Sequence, residues 1–268
     1  MGVAMLLGAF VFGFAMQVVL GCGSGTLVNA GSGNAVGLVA LPLFVLGSFL
    51  GTLHLDAWTA LGSLPVVTLQ GVAGTGGAVL ATLAALAAVG FVAARAAPAG
   101  QRWPQGRLVL AAVLLALLAL ANLAVAGQPW GVVYGLGLWG AKVASGLGAD
   151  LSGSAFWQAG GNAERLAESL LTDVTSLTNL GLIAGAFLAA RWGGAMAPQV
   201  RPLPPRAWVA VAAAGLAMGY ASRLAFGCNV GAYFSGIATG SLHGWAWFGA
   251  AFLGSALGVR ARPKLGFG

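Results

Sequence analysis

Charge is what this chain has least of. Charged residues make up 6% of its 268 positions, against the roughly 25% typical of a soluble domain, and that excludes a water-exposed globular surface. Five acidic residues and two histidines are too few and too scattered for a metal cluster, and no metal or cofactor is expected. Two cysteines, Cys22 and Cys228, cannot make a disulfide framework. No Cys-x-x-Cys pair, haem attachment motif or Gly-Lys nucleotide loop occurs, so the chain is not expected to be an enzyme. Twelve Lys and Arg residues leave a net charge of +7. They cluster in short loops between apolar runs, as topology determinants do, and nucleic-acid binding is not expected.

Apolar residues are what the chain has in excess, at 59% with a mean hydropathy of +0.92. The expected class is an all-α polytopic membrane protein, because its apolar stretches approach or exceed the roughly 20 residues that span a bilayer. Val3 to Leu20 lacks the basic start of a cleaved signal and is followed by more of the same. Spans are predicted at 3–20, 36–53, 73–94, 108–126, 177–191 and 207–226, with a seventh at 245–259. The basic groups Arg95, Arg102 and Arg107, then Arg191, Arg201 and Arg206, then Arg260, Arg262 and Lys264 mark the cytoplasmic face. An even number of crossings must separate the first two groups, so residues 127–170 lie outside, and "PWGVVYGLGLWGAKVASGLG" (129–148) reads as re-entrant or tilted. Trp103, Trp192 and Trp208 then fall beside the basic loops, and Trp58, Trp130 and Trp157 on the outer side. Glu164, Arg165, Glu168 and Asp173 read as a solvated outer helix, and His54 and His243 as span ends.

One stretch breaks the pattern. "LGCGSGTLVNAGSGN" (20–34) loses bulk and turns polar where a helix should simply end. An offset of 206 places Gly21-Cys22 on Gly227-Cys228, Gly13 on Gly219 and Gly25 on Gly231. One inserted residue later, at 207, Gly33 meets Gly240 and "LGSFLG" (46–51) meets "LGSALG" (253–258). The expected organisation is a single membrane transporter domain over 1–268, with repeat one at about 1–53, connecting spans at about 54–205 and repeat two at about 206–260. By the charge trace the first helix runs inward and its counterpart outward, so the repeats are inverted. Such repeats place a site near the bilayer midplane, built from broken helices whose free N–H groups face an anion. Glycine-rich irregular backbone is tolerated there only around a protein-lined path.

The candidate path residues follow. Cys22 and Cys228 share a repeat position, and a thiol is a soft, weakly donating group suited to a sulfur-bearing anion, although a buried cysteine can also simply pack. Gly23, Gly25 and Gly231 would let an anion approach backbone amides, or let helices pack closely. Asn34 and Asn229 could bond substrate oxygens or cap half-helices. Arg223 belongs to no cytoplasmic loop and either attracts an anion or snorkels to the interface.

At these residues the sequence resembles the YeeE/YedE family of sulfur-compound membrane proteins, which includes thiosulfate transporters. "GCGSGTLVNAGSGN" resembles its Gly-Cys-x-x-Gly-Thr motif, and "GCNVGAYFSGIATGSLHGW" its C-terminal Gly-Cys-x-x-Gly motif. The resemblance implies import of a small sulfur-containing anion, thiosulfate first among them, through the bacterial inner membrane, with Cys22 and Cys228 as a thiol relay. A selenium compound or another reduced sulfur species is the alternative substrate. Family members commonly begin with a further hairpin bearing an Arg-x-x-Phe-Cys motif, and nothing upstream of Cys22 matches it. That leaves a two-cysteine path or a start further upstream. Two other classes compete: a membrane thiol oxidoreductase using the cysteines as a redox pair, and a docking subunit for a small soluble sulfur-carrier protein on the cytoplasmic side.

Overall fold

The computed structural model describes residues 2–98, 105–194 and 203–267. Arg102, Trp103 and Arg201 lie outside the described residues. Among those described there is no strand, only the isolated bridges Gly2–Ser63 and Thr68–Ser241, and the protein is an all-α polytopic membrane protein. Among the described residues, six helical stretches are long and apolar enough to cross a membrane. The seventh predicted span forms a 20-residue helix (α13, Leu242–Ala261), about 30 Å long. It is less apolar than the six, because His243, Arg260 and five glycine or serine positions dilute it.

The first segment is α1 (Val3–Val18), α2 (Gly23–Gly31) and α3 (Ala35–Leu53). After the short α4 (Leu55–Thr59) come α5 (Leu69–Ala96), broken at Gly74, and α6 (Gly106–Ala126). Then follow α7 (Val133–Gly146), α8 (Ala155–Gln158), α9 (Asn162–Ala167) and α10 (Val174–Trp192). The last segment is α11 (Pro205–Leu224), a π-helical turn (Asn229–Phe234), α12 (Ser235–Ala238) and α13.

Lipid tails are as apolar as leucine, so burial of oily surface does not drive these helices together, and close contact through small residues does. A Cβ on Gly13 would run into the carbonyl of Ala251, and one on Gly219 into that of Phe44. Likewise Gly47 faces the carbonyl of Leu216, and Gly254 that of Phe10. These contacts set the registers. Positions 40, 44 and 51 of α3 meet 215, 219 and 220 of α11, so the two run parallel; 10 and 14 of α1 meet 254 and 258 of α13, also parallel. The start of α1 meets the end of α11, where Gly8 abuts Ala221 and Ala225. Around this crossing Phe12, Phe44 and Trp247 form a buried aromatic knot, with centroids 6.4 and 5.7 Å from Phe12.

The ends are tied as well. Tyr220 Oη lies 3.1 Å from His54 Nδ1 and accepts from Trp58 Nε1 at 2.9 Å, joining the end of α3 to the end of α11. Helices α5 and α6 are different in kind: Ala78 is the only buried residue of α5, and α6 has none. Nearly all of their side chains stand free of the rest of the chain.

The segment read as a solvated outer helix needs correcting. Only Asn162–Ala167 is helical there. Asp173 is buried, accepts from Ser176 N at 2.7 Å as the N-cap of α10, and pairs with Arg165 at 3.1 Å. Trp157, read as an outer-side interface residue, is fully buried and donates to Thr52 Oγ1 at 2.9 Å. The physical reason is shared. The connecting segment folds onto the end of α3, and its few polar groups are consumed in holding it there.

Candidate functional site

The site begins with two helix ends that should not look alike and do. Helix α1 ends with Gly21 N donating to Met16 O at 3.1 Å, and α11 with Gly227 N donating to Ser222 O at 2.9 Å. In this six-residue closing turn the left-handed position usually belongs to glycine. Here it holds Leu20 (φ 60) and Phe226 (φ 56), the two non-glycine residues of positive φ among those described. A left-handed L-residue costs roughly 1–2 kcal/mol, and such strain concentrates at functional sites. Both ends carry it, at an offset of 206.

The chain then restarts in the same way on both sides. Cys22 and Cys228 have extended backbones and cap the helices that follow. Cys22 O accepts from Thr26 N at 2.8 Å and Cys228 O from Ala232 N at 2.8 Å. Past this point the offset becomes 207: Ser32 N to Val28 O matches Thr239 N to Ser235 O, and Asn34 N to Asn29 O matches Ser241 N to Gly236 O. The extra residue falls in the π-helical turn Asn229–Phe234, the form a one-residue insertion takes inside a helix and one often found at functional sites.

The two breaks meet. A Cβ on Gly23 would lie 3.2 Å from Cys228 Sγ and 3.3 Å from the Phe44 ring, so any side chain here would have to push these neighbours back by a few tenths of an ångström. Cys228 is fully buried and Cys22 partly so, its sulfur 3.4 Å from Ser24 Oγ. Space beside Gly25 and Gly231 is open. The nearest atoms to an added Cβ are Cys22 Sγ and the Gly131 Cα, each 3.9 Å away.

The remaining candidates separate. Asn34 Oδ1 accepts from Val36 N at 2.9 Å and caps α3, whereas Asn229 Oδ1 is buried without a partner. Arg223, 8% exposed, sits at the end of α11. It makes no ion pair or hydrogen bond among the described residues, and its Nη2 is buried and unpartnered. Its guanidinium lies 4.7 Å from the Phe156 ring centroid and 5.9 Å from that of Tyr134. Beside it a cavity of about 390 Å³ is lined by Arg223, Cys228, Gly231, Trp130, Phe156 and Ser235, among others. Ser235 Oγ donates to Trp130 O at 2.9 Å.

Trp130, Tyr134, Phe156 and Ser235 were not among the sequence candidates. Three of them come from the connecting segment, and no local pattern places it over α11. Among the described residues no three His, Cys, Asp or Glu side chains come together as a metal would need.

With this geometry in view, the sequence matches the sulphur transport family over residues 1–257. It is 29% identical over 161 residues to a protein of Salmonella typhimurium named probable transporter YedE, a match covering 59% of this chain and 37% of that protein. The Escherichia coli protein of the same name is 29% identical over 153 residues, 56% of this chain and 36% of that one. The matched stretch is thus little more than a third of either relative's length.

Proposed function

This chain belongs to the sulphur transport family, also called YeeE/YedE, whose role is transport rather than catalysis, and from that premise we propose that it carries a small sulfur-containing anion, thiosulfate first, across the bacterial inner membrane by way of Cys22 and Cys228. The observation that carries the reading is the meeting of the two Gly-Cys breaks, with Gly23 against the Cys228 sulfur. Segments 1–53 and 206–260 are taken as inverted repeats of one transporter domain, joined by 54–205. What supports the inversion is the register: α3 parallel to α11, α1 parallel to α13, and the start of α1 against the end of α11.

A doubly charged anion cannot enter hydrocarbon bare, since its desolvation costs tens of kcal/mol in the Born limit and fixed dipoles or charges must replace the water. Amides freed by the breaks at Gly23, Gly25, Asn229 and Gly231 are the dipoles of this reading, and the open space at Gly25 and Gly231 is what gives an ion room beside them. Thiols add weak S–H contacts to a terminal sulfur without a charged ligand's desolvation penalty. A small soluble sulfur-carrier protein at the cytoplasmic face is the partner such a path would feed.

The test is uptake of labelled thiosulfate into proteoliposomes. Wild-type protein accumulates it, and Cys22→Ala/Cys228→Ala protein, equally well folded, does not. Sulfate, which lacks the terminal sulfur, competes poorly, and a selenium analogue that outcompetes thiosulfate would reassign the substrate. Uptake by the double variant at the wild-type rate would return both cysteines to a packing role.

A further inference from the structure

A dianion carried into a cell climbs a negative-inside membrane potential with both of its charges, and each proton that enters with it offsets one. Groups able to take such a proton near neutral pH are few in this chain. Asp56, Asp150, Glu164 and Glu168 are exposed, Asp173 is paired with Arg165, and His54 is exposed and tied to Tyr220. His243 is left.

It stands in the first turn of α13, behind the break that holds Cys228. Its Nε2 lies 3.2 Å from Ala225 O. A carbonyl only accepts, so Nε2 carries the hydrogen and Nδ1 is the nitrogen open to a proton. Nδ1 makes no hydrogen bond among the described residues. Ala225 caps the end of α11 and precedes the left-handed Phe226, whose ring meets the imidazole in a T-shape with centroids 6.2 Å apart. Phe226 is a wall of two cavities: the one of about 390 Å³ that Cys228 lines, and a second of about 310 Å³ lined by Met5, Thr59, Ser63, Ser241 and His243, among others. Among the described residues it is the one that the two linings share.

What faces the imidazole is otherwise neutral. The start of α1 presents Met5, the segment after α4 presents Ser63, and the turn before α13 presents Ser241. The charge acting on it is that of the amino terminus, and across Phe226 stand Arg223 and Cys228. None of the five carboxylates lines either cavity. The other half has no equivalent: at the offset of 207, His243 falls on Val36, which is fully buried.

We propose that His243 is the proton-binding site of a proton-coupled uptake. Nδ1 takes a proton from the outer water as the anion arrives beside Cys228 and returns it to the inner water as the anion leaves. One proton and one dianion enter together, and the net charge moved falls from two to one. The imidazolium keeps its Nε2–H bond to Ala225 O at the end of α11, where the helix dipole favours a cation. Linkage is reciprocal: the proton holds the anion by the same factor as the anion holds the proton. The coupling rests on the transport reading, while the link between proton and anion binding stands without it.

Proteoliposomes holding pyranine, with the potential clamped by potassium and valinomycin, test the coupling. Acid outside should speed wild-type uptake of labelled thiosulfate severalfold over equal pH, and the entering thiosulfate should acidify the interior by about one proton per anion. His243→Gln keeps a donor for Ala225 O but has no base, so its protons per anion should fall about tenfold whatever rate remains. His243→Asn, equally without a base, carries the same expectation. Calorimetry in nanodiscs reads the site without transport. Thiosulfate should bind wild-type protein about tenfold more tightly at pH 6 than at pH 8, across the range in which histidine loses its proton, and His243→Gln protein equally at both. Wild-type uptake that ignores the gradient, or a His243→Gln protein that still brings in a proton per anion or still binds more tightly in acid, would overturn the proposal. Wild-type protein that binds thiosulfate with the expected pH dependence but moves none would sink the transport reading and leave the proton site standing.

Discussion

Residues 1–53 and 205–261 build one turn twice and then part company. Both end a long helix on a bulky left-handed residue, Leu20 or Phe226, restart it on a cysteine cap, and end the short helix at a left-handed glycine, Gly33 or Gly240. They differ in three respects: a π-helical turn follows Cys228 where ordinary helix follows Cys22, Arg223 stands where Gln17 does, and Cys228 is buried where Cys22 is partly open. Backbone is held constant where the helices break, and side chains diverge around the two cysteines. A strained turn kept in both halves is hard to explain as packing, because glycine would build it at lower cost.

The likeness is most readily broken at the crossing glycines. Gly219→Val or Gly254→Val drives a side chain into a backbone carbonyl that cannot move aside, and overpacking of this kind costs 1–3 kcal/mol or more. Either variant should fail to give monodisperse protein on size exclusion in detergent. The open glycines should behave in the opposite way. An added Cβ at Gly25 or Gly231 meets nothing closer than 3.9 Å, so Gly25→Val and Gly231→Val are expected to fold, with thiosulfate uptake lost. A folded Gly231→Val protein with normal uptake would show that the amide beside it is not used.

The differences can be sharpened next. Deleting Val230 makes the two halves match in length and should turn the π-helical turn into ordinary α-helix. Because the α form is the better hydrogen-bonded, the protein should fold, and uptake should fall severalfold as Asn229 and Gly231 rotate away from the thiol. Unchanged uptake would make the insertion a neutral accident. The smallest effect expected is a gain: Leu20→Gly, at a side chain 42% exposed, relieves roughly 1 kcal/mol of left-handed strain. It should raise the thermal midpoint by a few degrees while slowing uptake. A fall in the midpoint would mean that the turn is not strained.

Much of this was legible in the sequence, and the part that was not has a common cause. Spans could be placed because a bilayer imposes a length and an apolarity that show in every window. The duplicated Gly-Cys element could be read because it is written twice. Nothing local announces that Trp157 and Asp173 are buried, or that Phe156 and Tyr134 cover Arg223, since those contacts join residues far apart in the chain. Asn34 illustrates a subtler limit, as one side-chain oxygen can cap a helix or meet a ligand and only the neighbouring N–H groups decide. The positive φ at Leu20 and Phe226 runs against propensity, so a sequence reading would put glycine there and miss the strain.

The central claim is that the two breaks bring Cys22 and Cys228 face to face on one path, and dibromobimane tests it most directly, because it fluoresces strongly only when both arms have bonded neighbouring thiols. Folded wild-type protein should become fluorescent, with one bimane and no free thiol per chain by intact mass. Either single alanine variant should stay dark, and thiosulfate should slow the wild-type reaction. Wild-type protein that takes up two separate bimanes, or none while still folded, would contradict the account.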